Sequence, residues 1–352
     1  MVYPHFKLYK RQDILSITRL RRFETRVGEC IQHLPDKPLA EALAQSKAQY
    51  VIVGIPEDIG VRANYGVGGT ETIWLPFLQA LCNMQSTDAF TGEEILLPGY
   101  FDFSDVKSLI TANAKNQDEL IDACRHAVAN IIDNEVEELV KVISSAGKIP
   151  IVIGGGHNNA YPLIKGAAKG LQKAGKQPGA AINVINACAH SGYRIAEGRH
   201  SGNSFRYAVE EGFLKKYAVI GLQENYNSQR VMDDLYSNIH IQYTTFEDIS
   251  LREKLNFRQA IVQAISFTEE AFTGIELDMD CIEQTLTSAL SPSGFTALQA
   301  RQYINFTAYY PNIAYLHICE GAAQLTNGLS NAFAAKLVSE LVNDFIKVNR
   351  KS

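Results

Sequence analysis

Short apolar runs rich in β-branched residues recur along the chain, each followed by a longer stretch whose apolar positions repeat every three or four residues. Tyr50 to Pro56 and Ile149 to Ile153 are runs of the first kind. Continuous apolarity without alternation marks a strand buried on both faces, as in parallel sheets. Asn116 to Ala146 is of the second kind, with Leu120, Ile121, Cys124, Ala127, Ile131, Val136, Leu139 and Val140 on one helical face. Further strands are predicted at 181–186, 217–222, 239–243, 274–278 and 313–319. Helices are predicted at 74–84, 161–174, 204–211, 257–271, 295–309 and 331–348. Leu97 to Ser104 reads as an edge strand. Residues 1–48 are mixed and charged, with short helices at 13–18 and 39–44, and are expected to pack outside the main body or at an oligomer contact. Strands alternating with helices imply parallel crossovers. The expected fold is a three-layer α/β/α sandwich with a mostly parallel sheet, in one domain spanning 1–352.

Composition narrows the class. Of 352 residues 46% are hydrophobic and 20% charged, and the formal net charge is −5. That excludes a general electrostatic attraction to nucleic acid or anionic membrane. The six cysteines are scattered without a CxxC pair, which fits a reducing compartment. The first residues lack the apolar core of a signal peptide, and no run approaches the roughly 20 apolar residues of a membrane helix. A cytoplasmic protein is expected.

Candidate chemistry gathers at strand ends, where open parallel sheets bind ligands. One buried strand ends in Gly154-Gly155-Gly156-His157, the next in Ala187-Cys188-Ala189-His190-Ser191-Gly192, a third in Asp278-Met279-Asp280 and the last at Glu320. The stretch Gly60 to Gly69 holds four glycines in ten residues but lacks GxGxxG spacing and an acidic strand end downstream, so a dinucleotide fold is rejected. It reads either as a plain surface loop or as backbone that approaches a ligand closely.

These motifs resemble the arginase/agmatinase/formimidoylglutamase family, the ureohydrolases, from about residue 50 to the end. Gly154 to His157 resembles the family's GGxH signature, Cys188 to Arg194 its Asp-Ala-His-x-Asp, and Asp278 to Asp280 its Asp-x-Asp. Glu197 to Asn203 and Gly221 to Ser228 are most similar to a formimidoylglutamase-like branch. The resemblance implies hydrolysis of linear amidine C–N bonds by a hydroxide shared between two Mn²⁺ ions, and a homo-oligomer. One metal would take His157, Asp278 and positions 188 and 192. The other would take His190, Asp278, Asp280 and position 188. Ser201, Asn203, Glu320, Arg194 and Asn64 would line the pocket for a small amidine or amino-acid-like ligand, with Arg62 as a further candidate for its carboxylate.

Two of the family's carboxylates are replaced, by Cys188 and by Gly192. Mn²⁺ is a hard ion that prefers oxygen, so the dinuclear site is expected to be degraded and hydrolysis lost or weak. Cys188, His190, Asp278 and Asp280 would instead suit one Zn²⁺, with an empty site as the alternative and Cys188 then an ordinary buried thiol. Glu197 and Glu283 are the nearest residues that could replace the lost carboxylates. Without metal, Asp278 and Asp280 would raise each other's pKa unless Arg194 or a lysine compensates. Glu320 is expected to pair with Arg194 or Arg199, and His200 and His317 to be structural. Two other readings stay open, an active amidine hydrolase with a mononuclear or altered metal site and a non-catalytic partner of an active paralogue.

Overall fold

The computed structural model describes residues 3–35 and 37–350. Nine strands form one sheet in the order β1-β3-β2-β4-β9-β8-β5-β6-β7. They are β1 Phe6–Leu8, β2 Tyr50–Gly54, β3 Ile95–Phe101, β4 Ile149–Ile153, β5 Ile182–Ala187, β6 Leu214–Leu222, β7 Ile241–Thr245, β8 Thr273–Asp278 and β9 Ile313–Cys319. Every pairing is parallel except that of β1 with β3. Period-two alternation splits each strand between two cores. Ile52, Ile151, Ile185, Ile275 and Leu316 face helices Trp74–Cys82, Ala297–Ala308 and Phe333–Asn349. Val51, Val152, Val184 and Tyr315 face Asp133–Ser145 and Ala160–Lys173. The α/β/α sandwich expected from the sequence is therefore the fold. Among the described residues no helix is long and apolar enough to cross a membrane.

Three expectations need correction. Leu97 to Ser104 is not an edge. Its strand, β3, is covered by β1, because Phe6 to Leu8 pair with Phe101 to Gly99. The N-terminal segment is thus built into the sheet, and Ile14, Val27 and Ile31 belong to the core. The long helix from Asn116 is interrupted by a π-helical turn at Val128–Ile132, which divides Gln117–Ala127 from Asp133–Ser145. Such turns are frequent near functional sites.

Here the π turn leads directly into Asp133, a buried carboxylate that holds the loop entering the site. Arg199 donates to both its oxygens, Nε at 2.9 Å and Nη2 at 3.3 Å. The same guanidinium donates to the Asn158 carbonyl at 2.8 Å and to Asn203 Oδ1 at 3.1 Å. It lies over the rings of Tyr161 and Tyr207. Arg199→Met leaves Asp133 buried and unpaired, and is expected to cost about 3–5 kcal/mol. Urea unfolding should show that loss, and show Arg199→Met/Asp133→Leu to be more stable than the single variant.

Candidate active site

The site is assembled by register. On the face of the sheet towards Ala160–Lys173, Glu276 of β8 pairs with His317 of β9 and with Asn186 of β5. Two residues further along, Asp278 pairs with Cys319, and Cys188 follows the end of β5. A polar layer thus lies under the carboxyl ends of the central strands. His157 reaches it from the end of β4. Gly154 and Gly155 both adopt positive φ, 86° and 75°, a turn that glycine makes without steric cost. It carries the His157 N–H to Glu320 Oε1 at 2.7 Å.

Five predicted metal residues converge. His157 Nδ1 lies 2.9 Å from Asp278 Oδ2, and the Cys188 thiol donates to the same oxygen at 3.0 Å. His190 Nδ1 is 3.4 Å from Asp280 Oδ2. Two donor clusters result, His157/Cys188/Asp278 and His190/Asp278/Asp280, each within a metal's reach and sharing Asp278. The strand does not continue to Asp280. It ends at Asp278, whose Oδ1 accepts the Asp280 N–H at 2.8 Å in a 3₁₀ turn.

Imidazoles, not Arg194 or a lysine, balance these acids. Burial opposes charge on His157, but the Asp278 and Glu276 carboxylates beside it outweigh it and lift its pKa to about 10. Burial likewise works against Glu276, yet the His317 and His157 rings hold its carboxyl at about 2. Asp280 and Glu320 are pushed up, by burial first and then by neighbouring carboxylates. Burial, with Asp278 next, also pushes up the Cys188 thiol.

A cavity of about 590 Å³ opens above this floor. His157, His190, Asp278, Asp280 and Glu320 line its base, and Asn64, Arg194, Glu197 and Ser201 its mouth. The mouth is hydrogen-bonded together. Arg194 donates to Asn64 Oδ1 at 2.7 Å and to Glu197 at 3.3 Å, and Asn64 donates to Ser201 Oγ at 3.2 Å. The glycine-rich loop is no plain surface turn. Buried Glu57 accepts the N–H groups of Gly60 and Gly156, each at 3.0 Å, and so ties it to the His157 turn.

Other predicted residues lie elsewhere. Asn203 is fully buried below the mouth, where its amide donates to the Ile195 and Gly198 carbonyls. It braces the loop and does not line the cavity. Arg62 is held by Asp58, and Glu283 does not reach the cavity. Glu320 pairs with neither Arg194 nor Arg199. Its partners are the His157 N–H and the Ser288 hydroxyl, because Arg199 is taken by Asp133. His200 is buried, and burial with the Arg194, Arg125 and Arg199 charges drops its pKa to about 3, so it stays neutral.

Phe205 packs directly against the ligand residues. Its ring stacks on Tyr217 at 4.3 Å and meets the His157 ring edge-on at 5.2 Å. It also fills the space beside Gly192, where a Cβ would lie 2.5 Å from the ring. Ser288 and Tyr226 line the cavity, and Tyr226 stacks on His190 at 5.4 Å. Tyr226 lay in a stretch the sequence had singled out, whereas Ser288 sits in no recognisable pattern.

Comparison with known proteins agrees with this fold. The model of the arginase family matches residues 48–343. The chain belongs to the arginase family. The formimidoylglutamase of Macrococcus caseolyticus is 26% identical over 272 residues, 76% of each chain. That of Streptococcus pyogenes serotype M6 is 30% identical over 175 residues, 48% of this chain and 50% of that protein. The crystal structure of formimidoylglutamase from Bacillus subtilis superposes with a TM-score of 0.69 at 18% identity, covering 95% of both chains. The Trypanosoma cruzi formiminoglutamase with Mn²⁺ superposes at 0.64 with 19% identity, covering 88% of this chain and 98% of that one.

Within the arginase fold the Gly192/Phe205 contact is directly testable. Gly192→Asp forces a side chain into the Phe205 ring at a position of φ 58°, and overpacking of this kind costs about 1–3 kcal/mol. In a double-mutant cycle measured by urea unfolding, Gly192→Asp is expected to cost less in a Phe205→Ala background than in the wild type.

Proposed function

We propose that this arginase-family chain binds a small amidine or guanidine carried on an amino-acid-like backbone, and that C–N hydrolysis through a dinuclear manganese centre is lost or slow in it. Support for the ligand comes from the polarity of the cavity. Asp278, Asp280 and Glu320 at the base suit a cationic amidine. Arg194, Asn64 and Ser201 at the mouth suit a carboxylate. A cavity of about 590 Å³ lies in the range of small-molecule sites.

The loss of hydrolysis rests on one observation, the Phe205 ring lying beside Gly192 where the family motif carries a carboxylate. With a thiol at position 188 as well, the His157 cluster offers one imidazole, one carboxylate and one sulfur, a poor set for Mn²⁺. The residues present do not fit two manganese ions. A second reading, an active hydrolase with a single metal, is favoured by the His190/Asp278/Asp280 cluster, which keeps one nitrogen and two carboxylates in reach of one ion.

Elemental analysis after purification with Mn²⁺ or Zn²⁺ supplied separately, with assays on N-formimidoyl-glutamate and arginine, tests this. Calorimetric binding without turnover and without two Mn²⁺ per chain is the expected result. Arg194→Ala should weaken that binding about tenfold or more, as loss of a charge-assisted hydrogen bond predicts. Two Mn²⁺ per chain with turnover would overturn the proposal, and turnover with one metal would favour the second reading.

A further inference from the structure

One layer beneath the cavity floor, a second group of donors is buried. Glu276, His317 and Cys319 share one face of β8 and β9, and His157 meets them from the end of β4. One donor atom from each of the four lies within 4.8 Å of the others, and all four residues are buried.

Hydrogen bonding here does not close. His157 Nδ1 faces Asp278 at 2.9 Å, and if it carries the ring proton, Nε2 presents a lone pair. That Nε2 faces Glu276 Oε2 at 3.4 Å and has no hydrogen-bond partner. His317 Nδ1 lies 2.6 Å from the same carboxylate oxygen, while its Nε2 is buried and unpartnered. The Cys319 thiol reaches only the Leu277 carbonyl, at 3.9 Å. A protonated His157 closes its contact with Glu276 but leaves the His317 Nε2 without a partner and does nothing for the sulfur. A cation shared by the four donors engages both rings, the carboxylate and the sulfur together.

We infer that His157, Glu276, His317 and Cys319 form a binding site for one zinc ion, set into the sheet beneath the amidine cavity. Two imidazoles, a thiolate and a carboxylate are zinc ligands, and four protein donors make a closed structural site with no position left for water. Bond lengths of about 2.0–2.3 Å place tetrahedral donors about 3.3–3.8 Å apart, so no pair of the four need draw in by more than about 1.5 Å. The charges also match. One carboxylate and one thiolate cancel the ion's two positive charges, so nothing unpaired is buried. Outer partners are in place, since Asp278 orients His157 through Nδ1 and the Tyr315 hydroxyl donates to Glu276 Oε1 at 2.7 Å. With Nε2 on this ion, His157 gives only an N–H to Asp278 and is withdrawn from the upper cluster. The site then joins the ends of β4, β8 and β9 and acts on stability, whatever the cavity above it binds.

The test uses the full chain purified with zinc alone. One zinc per chain is expected in the wild type and in Cys188→Ser and Asp280→Asn, and its removal by a chelator should lower Tm. Zinc-edge X-ray absorption of Cys188→Ser, which keeps the Cys319 thiol, should still show a sulfur ligand. After Co²⁺ exchange, the thiolate-to-cobalt band should survive Cys188→Ser and vanish in Cys319→Ser. No zinc in the wild type would overturn the inference and leave a proton between His157 and Glu276. A sulfur-free spectrum in Cys188→Ser would also overturn it, and would place the ion in the upper cluster. The Cys188→Ser spectrum decides the matter even if Cys319→Ser does not fold.

Discussion

Glu276, Asp278, Asp280 and Glu320 all lie buried at the ends of two adjacent strands, and the architecture of the site follows from the need to offset them. A buried carboxylate without a partner is strongly disfavoured. His157 stands between Glu276 and Asp278 and His190 beside Asp280, while Glu320 accepts a backbone N–H. The outcome is uneven. Glu276 is held ionised by its imidazoles, and Asp280 and Glu320 are driven towards the neutral form by burial and by neighbouring acids. Charge compensation at this layer is therefore done by histidine, which leaves Arg194 and Arg199 free for other work.

That division shapes the cavity. Arg199 is buried with Asp133 and supports the loop from below, and Arg194 stays half-exposed at the mouth of the cavity. The loops are joined by polar groups that do not line the cavity. Glu57 links the glycine-rich loop to the His157 turn, and Asn203 braces the loop that carries Ser201. Glu320 adopts a left-handed backbone, φ 63°, uncommon for a residue with a side chain, where the chain leaves β9 and enters the site. Strain of this kind is held only where surrounding structure fixes it.

Gly192 and Phe205 together shape one side of the site. A carboxylate and an aromatic ring cannot share that space. The ring in turn packs on Tyr217, whose hydroxyl donates to the Ser191 carbonyl. A side chain at position 192 is therefore coupled to the packing of Phe205, and neither position changes without the other.

The α/β/α architecture was legible in the chain because hydrophobic period reports burial directly, and buried β-branched runs alternating with amphipathic helices leave few topologies. His157, Cys188, His190, Asp278 and Asp280 were legible too, since each sits at or just beyond a strand end and a parallel sheet brings those ends together. Tertiary structure alone decided what depends on contacts between segments distant in sequence. The cover of β3 by Phe6 to Leu8 is one, because three residues carry too little pattern to mark a strand. Glu320 bonding to the His157 N–H and not to an arginine, and Asn203 turning inward, are others. The pairing of Gly192 with Phe205, and of Glu276 with His317 and His157, belongs with them. A sequence fixes which groups each strand end carries, but the partner that satisfies a buried polar group is chosen by three-dimensional proximity, which linear spacing does not encode.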